Sequence, residues 1–250
     1  MLRIHELSKR FDGVDALSGL SFETSPGDVV GLLGPNGSGK TTVLNILSRL
    51  VEPDAGSVLL RGSNLLAFQS SDMARQGVAR LFQTPRLCRS LTVAENIAMG
   101  ACSLQHRCSY LRSWRRSTMA RQAVFEAMGR WGLTEKSTVY PAALSFFEER
   151  KVELARMQVI HPTLILLDEP SSGFSQSERD ELTAALRVFA SPQVIVLLVE
   201  HDLTMVRTMC NKVVVLNGGR KIVEGHPNVV ESLREVRSVL LGAGDNAACA

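Results

Sequence analysis

Gly34-Pro35-Asn36-Gly37-Ser38-Gly39-Lys40-Thr41 follows the short apolar run Asp28-Val-Val-Gly-Leu-Leu33 and precedes Thr42-Val-Leu-Asn-Ile-Leu47. The run reads as a buried strand and the segment after it as a helix. A G-x-x-x-x-G-K-T spacing between those two elements marks a phosphate-binding loop. Glycines at 34, 37 and 39 let backbone amides converge on an anion without a Cβ in the way, and the helix start adds its partial positive charge. In this reading the backbone of Gly34, Asn36, Gly37, Ser38 and Gly39 cradles the phosphates of a nucleoside triphosphate, with Thr42 at the edge of the site. Lys40 reaches the β- and γ-phosphates, and the Thr41 hydroxyl binds Mg2+.

A second apolar run, Leu164-Ile-Leu-Leu-Asp168-Glu169, ends in two carboxylates, at the end of a parallel strand where such sheets present their ligand crevice. Asp168 is thereby a candidate for the Mg2+ shell, and Glu169 for polarising the water that attacks the γ-phosphate in line. Apolar runs at Thr163–Leu167, Val194–Val199 and Lys212–Leu216 alternate with helical patterns over Ser177–Ala190 and from Leu203. That alternation predicts an α/β fold with a parallel sheet. The first 25 residues and Gly56–Arg61 alternate apolar with polar positions, which predicts an antiparallel β portion beside the core.

Residues 84–160 show no comparable strand. Helical periodicity instead marks Val93–Met99, Arg121–Trp131 and Arg150–Met157, as in a helical insertion. Within it lies Ala143-Leu-Ser-Phe-Phe-Glu-Glu-Arg150, where Ser145 and Glu148 have the spacing of a capping box ahead of Val152, Leu154 and Met157. The tail 242–250 is small and polar, as in a frayed end.

Composition narrows the alternatives. With 250 residues, 45% of them hydrophobic, the chain can bury a substantial core. A balance of 28 basic against 25 acidic residues leaves a net charge of only +3, which points away from nucleic acid. No apolar run approaches the roughly 20 residues needed to span a bilayer. The start MLRIHELSKR lacks the apolar stretch of a secretory signal, so a cytoplasmic location is expected. Five scattered cysteines suit a reducing compartment. Cys102, His106 and Cys108 lie close together, but no second pair answers them as a zinc site would require. The arginine-dense stretch His106–Arg121 reads as a solvated face or a protein contact.

Taken together these segments resemble, over essentially the whole chain, the ATPase subunit of an ABC transporter. The resemblance implies a P-loop, RecA-like core with the β portion over 1–83 and 161–241, and a helical signature subdomain over 84–160. Phe11 resembles the aromatic residue that stacks on adenine. Gln83 resembles the glutamine that reaches the metal and the attacking water, and His201 the histidine that contacts the γ-phosphate. Ser171–Ser175 resembles a loop crossing the dimer interface. Leu144-Ser145-Phe146-Phe147-Glu148 falls where the family carries its signature, Leu-Ser-Gly-Gly-Gln, facing the ATP of a second ATPase subunit. Ser145, Phe147 and Glu148 are therefore the expected contacts to the partner's nucleotide. Phe147 departs from the family's glycine, and its ring must turn aside or obstruct closure. Ser175 departs from the usual aspartate or asparagine. Both departures lie on the partner-facing side, which favours a heterodimer over a homodimer; the resemblance further implies transmembrane permease subunits and a place at the cytoplasmic face of the inner membrane. The stretches Gln83–Leu87, Leu91–Asn96, Val199–Leu203 and Arg237–Gly242 are most similar to ATPases importing branched-chain amino acids or urea. Rival readings are a regulatory subunit with little turnover, or a non-transport ABC protein.

Overall fold

The strands, in chain order, are β1 (Leu2–Phe11), β2 (Val14–Thr24), β3 (Val29–Leu33), β4 (Ala55–Leu60), β5 (Ser63–Asn64), β6 (Val78–Leu81), β7 (Leu164–Asp168), β8 (Ile195–Val199), β9 (Lys212–Asn217) and β10 (Arg220–Gly225). The α-helices are α1 (Lys40–Leu47), α2 (Val93–Cys102), α3 (Thr118–Arg130), α4 (Phe146–Val159), α5 (Gln176–Leu186), α6 (Leu203–Met209) and α7 (Pro227–Val230). They belong to a computed structural model that describes residues 1–102, 117–230, 232–234, 236 and 238. The chain divides into two compact units, Met1–Ser70 with Ala190–Ala250, and Ser71–Phe189.

In the first unit β3 lies between β8 and β9 and is parallel to both, while β10 pairs antiparallel with β9. Every residue of β3 and of β8 is buried, as expected of parallel strands covered on both faces. Val43, Leu44, Ile46 and Leu47 of α1 are fully buried with them. The antiparallel portion has the order β2-β1-β4-β5. Its strands alternate: Leu2 and Ile4 point inward while Arg3 and His5 are exposed.

In the second unit β6 pairs parallel with β7, Val78 opposite Leu164 and Leu81 opposite Leu167. Helices α2, α3 and α4 pack on one another through buried Val93, Ile97, Val124, Val152 and Leu154. The strand β6 was not singled out from sequence, because four residues containing Arg80 carry too short an apolar pattern. The helix expected over Ser177–Ala190 runs Gln176–Leu186 and continues as a 3-10 turn, Arg187–Phe189. Phe189 is buried there, with its ring 6.0 Å from that of Trp131.

Among the described residues no helix is long and apolar enough to cross a membrane, and no three His, Cys, Asp or Glu cluster as metal ligands. The readings on His106–Arg121, on the Cys102 set, on Arg237–Gly242 and on the tail lie wholly or partly outside the described residues.

Candidate functional site

In the first unit the loop between β3 and α1 is shaped by its glycines. A Cβ on Gly34 (φ +147°) would lie 2.1 Å from the Leu216 carbonyl oxygen, and one on Gly39 (φ +101°) 2.5 Å from that of Ala16. No other residue fits at either place without moving backbone. Ser38 donates its backbone N–H to Pro35, and Gly219 donates to the Ser38 carbonyl, tying the loop to the β9–β10 turn. The Ser38 hydroxyl oxygen is buried and has no hydrogen-bond partner among the described residues. Lys40 is itself buried, and its ammonium donates to the carbonyls of Gly34 at 2.7 Å and Pro35 at 2.8 Å. The cradle thus holds a buried cation and an unanswered hydroxyl, both suited to an incoming phosphate. Thr41 is exposed, Thr42 is half-buried, and Asn36 and Gly37 are exposed at the tip of the loop.

Two other expected residues lie in this unit. Phe11 ends β1 and is 42% exposed, with the Lys9 ammonium 5.3 Å from its ring centre. His201 follows β8 and is exposed. Its backbone N–H donates to the buried Glu200 carboxylate at 2.9 Å, and Asp202 caps α6 by accepting from Thr204 and Met205.

In the second unit Asp168 closes β7 as a buried carboxylate, and Arg80 of β6 donates to it at 3.1 Å. Burial pulls the Arg80 guanidinium below its usual range while Asp168 pulls it back up. Glu169 follows in a left-handed backbone conformation, φ +46°, which a side-chain-bearing residue seldom adopts. Such strain concentrates where a side chain must be aimed. The exposed Gln83 amide donates to the Glu169 carboxylate at 3.1 Å, so two of the expected catalytic side chains are joined directly.

Gln83 is held from behind by α4. Arg150, wholly buried, donates to the carbonyls of Phe82 and Gln83 and pairs with Glu153. Glu153 also accepts from the Arg86 backbone N–H, and Arg156 donates to the Arg86 carbonyl. Burial holds the Glu153 carboxyl above its usual range and Arg150 and Arg156 below theirs. This linkage was missed from sequence: carbonyl partners leave no trace in side-chain spacing.

The start of α4 is a capping box, as the sequence indicates. The Ser145 hydroxyl accepts from the Glu148 N–H, and the Glu148 carboxylate accepts from the Ser145 N–H. Lys136 pairs with the same carboxylate, and these donors hold it below the usual carboxylate range. Phe146 is exposed, whereas Phe147 is buried, its ring edge-on to Phe174 with the Lys151 ammonium 4.5 Å above it. The ring thus packs inward, against Phe174. Ser175 begins α5 in a second capping box, with Glu178.

The expected magnesium ligands are all oxygen donors: the Thr41 hydroxyl, the Gln83 amide carbonyl and the Asp168 carboxylate. That donor set fits a hard divalent cation.

The chain matches the family model described as ABC transporter over residues 17–172. It is 34% identical to the high-affinity branched-chain amino acid transport ATP-binding protein LivG of Escherichia coli (strain K12), covering 97% of this chain and 98% of the relative. Identity is 32% to the corresponding BraF of Pseudomonas aeruginosa, with the same coverage. Among solved structures, the ADP conformation of MJ1267, an ATP-binding cassette of an ABC transporter, superposes with a TM-score of 0.83 at 26% identity, covering 97% of this chain and 98% of the other. The chain belongs to the ABC transporter family, as an ATP-binding, ATP-hydrolysing subunit similar to the ATPases of branched-chain amino acid transporters.

Proposed function

We propose that this subunit drives an importer of branched-chain amino acids, urea or similar small polar solutes, docked on transmembrane permease subunits at the cytoplasmic face of the inner membrane. The observation that carries the reading is the loop 34–41, whose shape excludes side chains at Gly34 and Gly39 and turns Lys40 inward. The division into a core with its β portion over 1–83 and 161–241, and a signature-bearing part over 84–160, belongs to the same reading.

ATP phosphates accept from the backbone amides of Gly34, Asn36, Gly37, Ser38 and Gly39, and the Ser38 hydroxyl finds its partner there. Lys40 exchanges two neutral carbonyls for charged β- and γ-phosphate oxygens, a stronger class of hydrogen bond. Phe11 stacks on the adenine, and His201 contacts the γ-phosphate. Magnesium, when bound, neutralises phosphate charge, and Thr41, Gln83 and Asp168 would hold it. Glu169 orients and polarises the attacking water, its carboxylate steadied by Gln83.

The start of α4, with Ser145, Phe147 and Glu148, faces the nucleotide of a second ATPase subunit, while the Phe147 ring itself stays packed on Phe174. The Ser145 hydroxyl accepts its helix-capping bond and so keeps its proton to donate. Phe147 nonetheless puts a Cβ where glycine would let the backbone close on a phosphate. A heterodimer follows, in which a partner with an ordinary signature completes the site over Lys40 and Glu169, while the opposite site is impaired. Steady-state hydrolysis and nucleotide occupancy in a reconstituted transporter test this. If Phe147→Gly changes neither the rate nor the occupancy of either site, the two-site asymmetry is wrong. A transporter that closes on ATP with no turnover in this subunit's site would favour the regulatory reading instead.

A further inference from the structure

The pair between Arg80 and Asp168 is not part of the site read from sequence. Its two side chains are 6% and 9% exposed, and Arg80 Nη2 lies 3.1 Å from Asp168 Oδ2. Strands β6 and β7 run parallel, so Arg80 stands opposite Leu166 and its side chain reaches the carboxylate at the strand's end. The guanidinium is held from another side as well, 4.8 Å from the centre of the Phe82 ring, on which Arg86 also rests at 3.9 Å. Phe82 is in turn fixed by the Arg150 bond to its carbonyl. Arg80 is therefore mounted on rigid elements with its guanidinium aimed at Asp168.

A buried carboxylate needs a cationic or hydrogen-bonding partner, and a guanidinium serves at every physiological pH because it does not lose its proton. A divalent cation arriving on the same carboxylate meets a fixed positive charge a few ångströms away, in surroundings that screen it weakly. We propose that Arg80 is a positioning residue that stands in for the divalent cation at Asp168 and competes with it, setting the affinity for the metal half of the metal–nucleotide complex. The inference rests on the reading of Asp168 as a metal ligand. Its effect is to keep the acidic strand end neutralised between turnovers and to discourage metal from binding without the added negative charge of a triphosphate.

The probe is Mn2+, titrated into the full-length protein saturated with a non-hydrolysable ATP analogue and followed by the paramagnetic resonance of free Mn2+. Arg80→Gln is expected to bind Mn2+ about tenfold more tightly, ~1.4 kcal/mol. Arg80→Lys, which keeps the charge, should stay near the parent. An affinity in Arg80→Gln equal to or weaker than the parent overturns the competition. Asp168→Asn separates the two readings: if it leaves Mn2+ affinity unchanged, the assignment of Asp168 as a ligand is what fails. Should Arg80→Gln not fold, the unaltered protein carries the test. Its Arg80 guanidinium 15N signal should shift or exchange-broaden on saturation with diamagnetic Mg2+ and analogue, and a signal identical to that with analogue alone overturns the proposal.

Discussion

The Phe147 ring meets the Phe174 ring edge-on, with 5.0 Å between centroids and an interplanar angle of 80°. Phe174 lies in the loop Ser171–Ser175 before α5, so Phe147 at the start of α4 is anchored by that loop. Phe146 approaches the same ring at 5.5 Å from its exposed side. Phe147 is thus one half of this contact, and Ser175, the cap of α5, follows the other half directly.

Removing the Phe147 ring should therefore destabilise the chain. Phe147→Ala is expected to lower unfolding free energy by about 3 kcal/mol, the usual loss for a buried aromatic. A double-mutant cycle with Phe174→Ala should show coupling of roughly 1 kcal/mol. Denaturant unfolding measures both, and additive single effects would mean that the rings do not support each other.

Nucleotide binding and turnover should separate cleanly. Lys40→Ala should abolish saturable binding of labelled Mg-ATP, while Glu169→Gln should bind it normally and hydrolyse it at least about 100-fold more slowly. Hydrolysis surviving in Glu169→Gln would remove Glu169 from the reaction.

Gly34→Ala places a methyl group 2.1 Å from the Leu216 carbonyl, a distance no relaxed structure keeps. The strained loop should cost about 1–3 kcal/mol of stability and weaken ATP binding even with Lys40 intact. Calorimetric titration and thermal melting check the two effects. Gly37→Ala, at φ +77° but with nothing within 4 Å of the added Cβ, keeps the backbone strain without the clash and should be the milder of the two.

The cap of α4 should titrate. Lys136 and the Ser145 N–H hold the Glu148 carboxyl below its ordinary value in the folded chain. In the unfolded chain that carboxyl takes up its proton at higher pH, so the contribution to stability is full near neutrality and fades as pH falls through the acid range. Glu148→Gln should flatten the slope of stability against pH below about 5. Ser145→Ala should separately cost about 1 kcal/mol as a lost N-cap. A Glu148→Gln curve parallel to the parent's would refute the assigned ion pair.

Signals confined to a few consecutive residues were readable in the sequence. The loop 34–41, the strand Leu164–Asp168 ending at the acidic pair, and the Ser145–Glu148 box all state their local structure through spacing alone. What escaped was set by contacts distant along the chain. Arg80 and Asp168 are 88 positions apart, and neither strand's pattern hints at the other. The direction taken by the Phe147 ring depends on Phe174, 27 positions later, and on Lys151 one helical turn onward. Residue types proposed these sites, but only the packing of β6, β7 and α4 selects the partners.

Arg150, Glu153 and Arg156 recur every third residue along α4, and all three grip the backbone between Phe82 and Arg86. Sliding that segment away from the helix would strand a fully buried guanidinium and a nearly buried carboxylate at once. The strip bearing Gln83 and the helix begun by Ser145 are consequently braced against each other by buried charge as well as by packing.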